Sequence, residues 1–196
     1  MKKIITFLKF YSLSVALMLS LSACSFLSQK PYQKVNYFTL GNNPSFKKSS
    51  YNIDIKVFNS LLPEKFRMIY IKNQYQVYID DYNKWIQPPE FMLKKYLSNK
   101  FANQSQKNNF IITGTIENFD IDTDKFMARM NVTYKITDKN KPLNPICIRQ
   151  LNKTKKFDKL DPKDFAKAFT MLSEELANDI RISINDYLKE AKNENK

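Results

Sequence analysis

Two groups of carboxylates have types and spacing that suit chemistry: Asp80-Asp81, and the alternate acids Asp120, Asp122 and Asp124. Paired carboxylates hydrolyse glycosidic bonds, and clustered ones hold calcium. Neither group is well placed for such work. Asp80-Asp81 adjoins a turn, and successive strand residues point to opposite faces. The trio falls at an expected hairpin tip, where acids cap backbone N–H groups. Both groups therefore read as solvated turns. The 196-residue chain contains no histidine, which removes the commonest general base, the His-dependent triads and the usual zinc ligand. Its only glycines are Gly41 and Gly114, so it has neither a Gly-rich phosphate loop nor a dinucleotide fingerprint. The expectation is a non-enzymatic protein with no cofactor and no metal.

The thiols carry more information. The chain has two cysteines, Cys24 and Cys147. Lys2, Lys3 and Lys9 precede a largely apolar stretch from Phe10 to Leu21, which ends in Leu21-Ser22-Ala23-Cys24. That is the shape of a secretion signal, and the stretch is shorter than the ~20 apolar residues that span a bilayer. A cysteine behind a leucine and two small residues resembles the lipobox of bacterial lipoproteins. That resemblance implies a thiol that receives a diacylglycerol, cleavage before Cys24 and acylation of the freed amine. Two or three acyl chains, at ~0.8 kcal/mol per buried methylene, hold a protein on a membrane where one does not. With Cys24 lipidated, no intramolecular disulfide is possible. Cys147, within Ile146-Cys147-Ile148, reads as a small buried hydrophobe.

Removing residues 1–23 leaves 173 residues, enough for one domain with its own core. Three of the 32 basic residues and no acid lie in that leader, so the mature chain carries 29 bases against 19 acids, a net charge of +10. A cationic surface suits anionic partners such as phosphate-bearing lipids, although the joint richness in Lys, Asn, Ile, Phe and Tyr also reflects a genome poor in G and C. Export removes the chain from nucleic acid, and no nucleic-acid motif is present.

Residues 24–36 read as a lipidated N-terminus and polar tether, 37–190 as the domain, and 191–196 as a polar tail that frays beyond Leu188. Tyr37 to Leu40 is a strand candidate, followed by a loop to Ser50. Ile53, Ile55 and Val57 alternate with polar residues, the pattern of a half-buried strand. Phe66 to Ile71 and Tyr75 to Ile79 predict a hairpin, followed by a loop from Asp80 to Pro88. Pro89 to Asn103 places Met92, Leu93, Tyr96, Leu97 and Phe101 on one helical face. Phe110 to Ile121 is a long strand with Gly114 as a candidate bulge. Phe126, Ala128, Met130, Val132, Tyr134 and Ile136 alternate as its hairpin partner, and Ile146 to Leu151 supplies a further strand. Asp161-Pro162-Lys163-Asp164 is a helix start, and a stripe from Phe165 through Ile184 to Tyr187 follows over about seven turns. The order predicts an α+β fold: one domain, a mainly antiparallel sheet, and two amphipathic helices on one face.

Aromatic residues crowd the window from Tyr70 to Phe91. Tyr70, Tyr78, Tyr82, Trp85 and Pro88 are the candidate partner-binding residues, because amphipathic rings suit lipid grooves and protein interfaces. The lipobox, Tyr37-Phe38-Thr39-Leu40, an alternating strand ending near Pro63, Ile69-Tyr70, Val77, and Trp85-Ile86-Gln87-Pro88 leading into a helix with Leu93 and Leu97 together resemble the ABC-type transport auxiliary lipoproteins. The resemblance runs from Tyr37 to Leu188. It implies a non-enzymatic part of a lipid-trafficking system joining inner and outer membranes, with an MCE-type periplasmic protein and an ABC transporter as partners. Ser25 in place of an inner-membrane-retaining aspartate points to the periplasmic face of the outer membrane. The alternative is an assembly lipoprotein similar to the one that plugs the lipopolysaccharide translocon.

Overall fold

A computed structural model describes residues 32–41, 52–102, 109–141 and 143–193. The leader, Cys24 and most of the tether lie outside them, as does most of the loop expected after Gly41.

The chain from Val35 onward forms one unit, separate from the segment before it. Its elements in order are β1 (Asn36–Phe38), β2 (Asn52–Ile55), β3 (Asn59–Ser60), β4 (Arg67–Lys72), β5 (Gln76–Trp85), α1 (Pro89–Lys100), β6 (Asn109–Asp122), β7 (Met127–Asp138), β8 (Pro145–Lys156) and α2 (Pro162–Asn193). The fold is the expected α+β single domain. One mixed, mostly antiparallel sheet runs β1-β5-β4-β6-β7-β8.

The β6–β7 hairpin is the backbone of this sheet, pairing Phe110 with Asp138 at one end and Asp122 with Met127 at the other. Every second residue of β7 from Ala128 to Ile136 is buried, because an unbroken strand keeps one face inward. β6 keeps Phe110, Ile112 and Ile116 on that face, then changes phase to Phe119 and Ile121. The change comes from a bulge at Glu117, not at Gly114, which pairs regularly with Tyr134. The role of Gly114 is close approach. A Cβ there would stand 2.4 Å from Phe58 Cε1 and 2.7 Å from the Thr133 carbonyl oxygen. Gly114→Ala must therefore displace the buried Phe58 ring or part β6 from β7. It should lower unfolding stability by about 1–3 kcal/mol in urea titrations.

The second edge of β6 shows a pairing that local patterns do not specify. β2, β3 and the end of β4 follow one another along it, all parallel to β6. The three segments behave as one interrupted strand. Phe58, in the gap between β2 and β3, drops into the core over Gly114.

α1 and α2 complete the domain, α1 against β2 and β3 and α2 against β7 and β8. Asp161 caps α2 by accepting the Lys163 N–H at 2.8 Å, as the Asp-Pro signal predicts. The stripe Phe165, Phe169, Leu172, Leu176, Ile180 and Ile184 is buried, and each such side chain contributes roughly 1.5–3 kcal/mol. The helix continues to Asn193, past the point where fraying was expected. The polar groups that burial encloses are paired. Tyr134 is fully buried and donates its hydroxyl to Asp179 Oδ2 at 2.7 Å, 3.1 Å from Ser183 Oγ. Buried Lys100 on α1 pairs with Glu174 on α2, which also accepts the Tyr96 hydroxyl at 2.7 Å. Burial opposes ionisation of Glu174, but the Lys100 and Tyr96 hydrogen bonds outweigh it and lower its pKa. This clamp joins the two helices.

Candidate functional site

The aromatic window lies on β4, β5 and the start of α1. β4 and β5 form the expected hairpin, closed by Asn73-Gln74-Tyr75 between the Lys72–Gln76 pair. Without glycine, the turn places Asn73 and Gln74 at φ 51° and 63°, a conformation that asparagine tolerates better than most residues. Tyr75 and Tyr78 are exposed.

Beyond Ile79 the segment expected as a loop is still strand, and β5 reaches Trp85. Ile69 pairs with Ile79 and Arg67 with Lys84, so Asp80 to Asn83 stand opposite Met68 alone as a wide bulge. Asp80 organises it. Its Oδ1 accepts the backbone N–H groups of Tyr82 at 2.8 Å and Asn83 at 3.0 Å, and its Oδ2 accepts Asn83 Nδ2 at 2.8 Å and the Tyr70 hydroxyl at 3.0 Å. Burial works against the charge, but these donors outweigh it and hold the carboxyl below its usual range. Desolvation and the neighbouring Asp80 charge push the Tyr70 phenol well above its ordinary value, so it stays neutral. Asp81 points outward to Arg67 Nη1 at 2.8 Å. Arg67 also holds Glu64, and backbone donation from Phe66, followed by the Arg67 side chain and the Lys65 N–H, lowers the Glu64 carboxyl to about 2 despite some desolvation.

The candidate partner-binding residues thus divide. Tyr78 and Tyr82 are exposed, Tyr82 on the bulge. Tyr70 is half-buried, its ring 6.0 Å from that of Tyr78 and 5.8 Å from that of Phe165. Pro88 is half-buried at the N-cap of α1, where its carbonyl accepts the Met92 N–H. Trp85 is 2% exposed and packs edge-on against Phe119 at 5.4 Å and Phe169 at 5.6 Å. Its ring belongs to the core and is unavailable to a partner.

The carboxylates require a correction as well. They hold turns and neighbours, but they are not solvated: Asp80, Asp120 and Asp122 are 8%, 4% and 5% exposed. Asp120 lies inside β6 and takes the Arg129 Nε, while Asp122 accepts the Lys125 N–H at 3.0 Å and Asp124 the Asn73 N–H. Each acid is oriented toward donors of its own chain. Among the described residues no group of three or more His, Cys, Asp or Glu is placed to hold a metal ion. Cys147 is half-buried, and desolvation raises its pKa above the ordinary thiol range. A raised pKa leaves little of the nucleophilic thiolate at neutral pH.

A cleft of about 160 Å³ opens between Thr39, Leu40 and Gly41 and the α1 residues Met92, Lys95 and Tyr96. That is below the ~300 Å³ at which small-molecule sites usually begin. Among the described residues no helix is long and apolar enough to cross a membrane.

No family model and no curated protein matches the sequence. Two solved structures share the fold. One is the crystal structure of protein XCC0632 from Xanthomonas campestris, described as DUF330, with a TM-score of 0.62 at 12% identity over 80% of this chain and 99% of that one. The other, described as an uncharacterized protein, gives 0.56 at 14% identity over 81% of this chain and 99% of its own. At such identities the likeness is one of fold, and the described domain shares the architecture of the DUF330 protein along nearly all of that protein's length.

Proposed function

We propose that this chain is a lipid-anchored, non-enzymatic docking component of an MCE/ABC-type lipid transport system, held at the periplasmic face of the outer membrane. The observation that carries the reading is Leu21-Ser22-Ala23-Cys24 behind a basic and apolar leader, placed shortly before a unit that begins at Val35. The ordered motifs from Tyr37 to Leu97 support the transport assignment, and the exposed Tyr78 and Tyr82 offer a partner rings on a strand whose outer edge β1 pairs only from Asn83 to Trp85. A diacylated cysteine concentrates such a domain at the membrane surface, so modest intrinsic affinity suffices for docking.

The test is affinity purification from crosslinked envelopes, with Cys24→Ala as control and mass spectrometry of the captured proteins. The expected result is an MCE-type protein recovered with the wild type and lost with the control, together with transfer of the control from the membrane to the soluble fraction. Recovery of a large β-barrel instead would replace this reading with the assembly-lipoprotein one. Capture of neither, or unchanged membrane association of the control, would refute it.

A further inference from the structure

Three connections meet at one end of the sheet. Asn73 in the β4–β5 turn donates its N–H to Asp124 in the β6–β7 turn, and Thr123 donates both N–H and hydroxyl to the Ile71 carbonyl. The Phe157 N–H, just after β8, bonds the Phe126 carbonyl at 3.0 Å. This end is therefore a rigid platform of tied turns. It presents Tyr75, Val77 and Tyr78 from the first hairpin, Phe126 from the second and Leu160 from the segment before α2, all exposed, with Tyr75 at 90%. Lys72, Lys125, Lys156 and Lys159 stand among them, with Asp124, Asp158 and Asp161. The charges nearly balance, so what the platform offers is apolar and aromatic area with amines at its rim.

Phe126 adds an independent sign. Its backbone lies at φ 53°, a conformation that a bulky residue adopts only at a cost and that glycine adopts freely. The turn alone would be better served by glycine, yet the position presents an exposed phenyl ring. The direction of the chain supplies the occupant. β1 runs parallel to β5, so the chain enters the sheet from the end at which β5 begins, the end of the platform. Cys24 precedes Asn36 by twelve positions, at most about 40 Å of extended chain.

We propose that this platform is a membrane-contacting face, which seats Tyr75, Tyr78 and Phe126 in the headgroup region of a phospholipid bilayer and orients the domain on the surface to which its N-terminus is tethered. The orientation rests on the lipid-anchor reading above; the affinity of the face for bilayers does not. Rings of this kind favour the boundary between headgroups and acyl chains, where apolar bodies are buried and polar tips stay wet. Lysine stems lie along the apolar surface and carry their amines to phosphate oxygens.

The experiment is vesicle flotation of the unlipidated chain from Ser25 onward, whose unit from Val35 contains the whole described core. The vesicles are phosphatidylcholine alone, or phosphatidylcholine with phosphatidylglycerol. The wild type should float with both. A Tyr75→Ser, Tyr78→Ser, Phe126→Gly variant should bind on the order of tenfold more weakly while unfolding at the same or higher denaturant, because the altered side chains are exposed and glycine relieves the turn. Equal flotation of the variant would overturn the proposal. So would a wild type that binds neither vesicle, a result that leaves lipidation and partner capture untouched. Binding confined to anionic vesicles and abolished by salt would overturn the apolar seat and leave only a charged surface.

Discussion

Trp85→Ala is expected to lower unfolding stability by about 3–5 kcal/mol, a large fraction of what a domain of this size possesses. The indole is enclosed by Phe119 and Phe169, themselves stacked at 3.8 Å, so truncation opens a cavity among three aromatic rings from β5, β6 and α2. The surroundings cannot collapse into it without moving α2 against the sheet. Urea titration followed by far-ultraviolet circular dichroism measures the loss. Trp85→Phe, which keeps a ring in the site, should recover more than half of it. If Trp85 were a partner-binding residue, Trp85→Ala would leave the titration unchanged and reduce partner capture instead, and that outcome would require a different packing of this core.

Asp80→Ala should cost on the order of 3 kcal/mol, because it strips the acceptor from two backbone N–H groups, one amide and one phenol in a buried site. Asp80→Asn should be milder, since one amide oxygen can retain the backbone donors while the new amide group faces Asn83. The Asp80 carboxyl titrates lower in the folded protein than in the unfolded chain. Its contribution is therefore present above the ordinary aspartate range near pH 4 and is lost as pH falls through the depressed folded value. Wild-type stability should decline on that acid limb, and part of the decline should be missing in Asp80→Ala. Glu64, lowered to about 2, extends the same limb downward. Were Asp80 a catalytic carboxylate poised by the fold, Asp80→Ala would abolish an activity and leave stability intact. The four donors directed at it argue for the structural role.

Local chemistry was sufficient for much of the architecture. The alternation of β7, the apolar stripe of α2, the Asp-Pro start of that helix and the prolines before α1 predict their elements, because each depends on a period or a cap confined to neighbouring residues. The α+β class follows from the order of those elements. The bulge in β6 was also legible: buried residues pass from Phe110, Ile112 and Ile116 to Phe119 and Ile121, and such a change of phase marks an inserted residue. Gly114 drew attention away from it, since its reason for being glycine is Phe58, distant in sequence. The continuation of β5 through Asp80-Asp81 was hidden for a similar reason. Acids and asparagine look like a loop until Tyr70, ten residues away, is seen to share the carboxylate.

Exposure was the property that the sequence by itself could not assign. Tyr78 and Trp85 lie in the same aromatic window, yet one faces solvent and the other meets two phenylalanines from β6 and α2. Composition reports that rings are abundant; which of them remain for a partner or a membrane depends on contacts between elements far apart in the chain. The parallel run of β2, β3 and β4 along β6 is of the same kind. Its register comes from long-range pairing and from the burial of Phe58, and neither leaves a periodic trace in the residues themselves. The chain's own order of residues determined the leader, the cysteine, the helices and the strands, because those are local patterns. Only the tertiary structure decided which side chains became core and which became surface, because burial is a property of the whole fold.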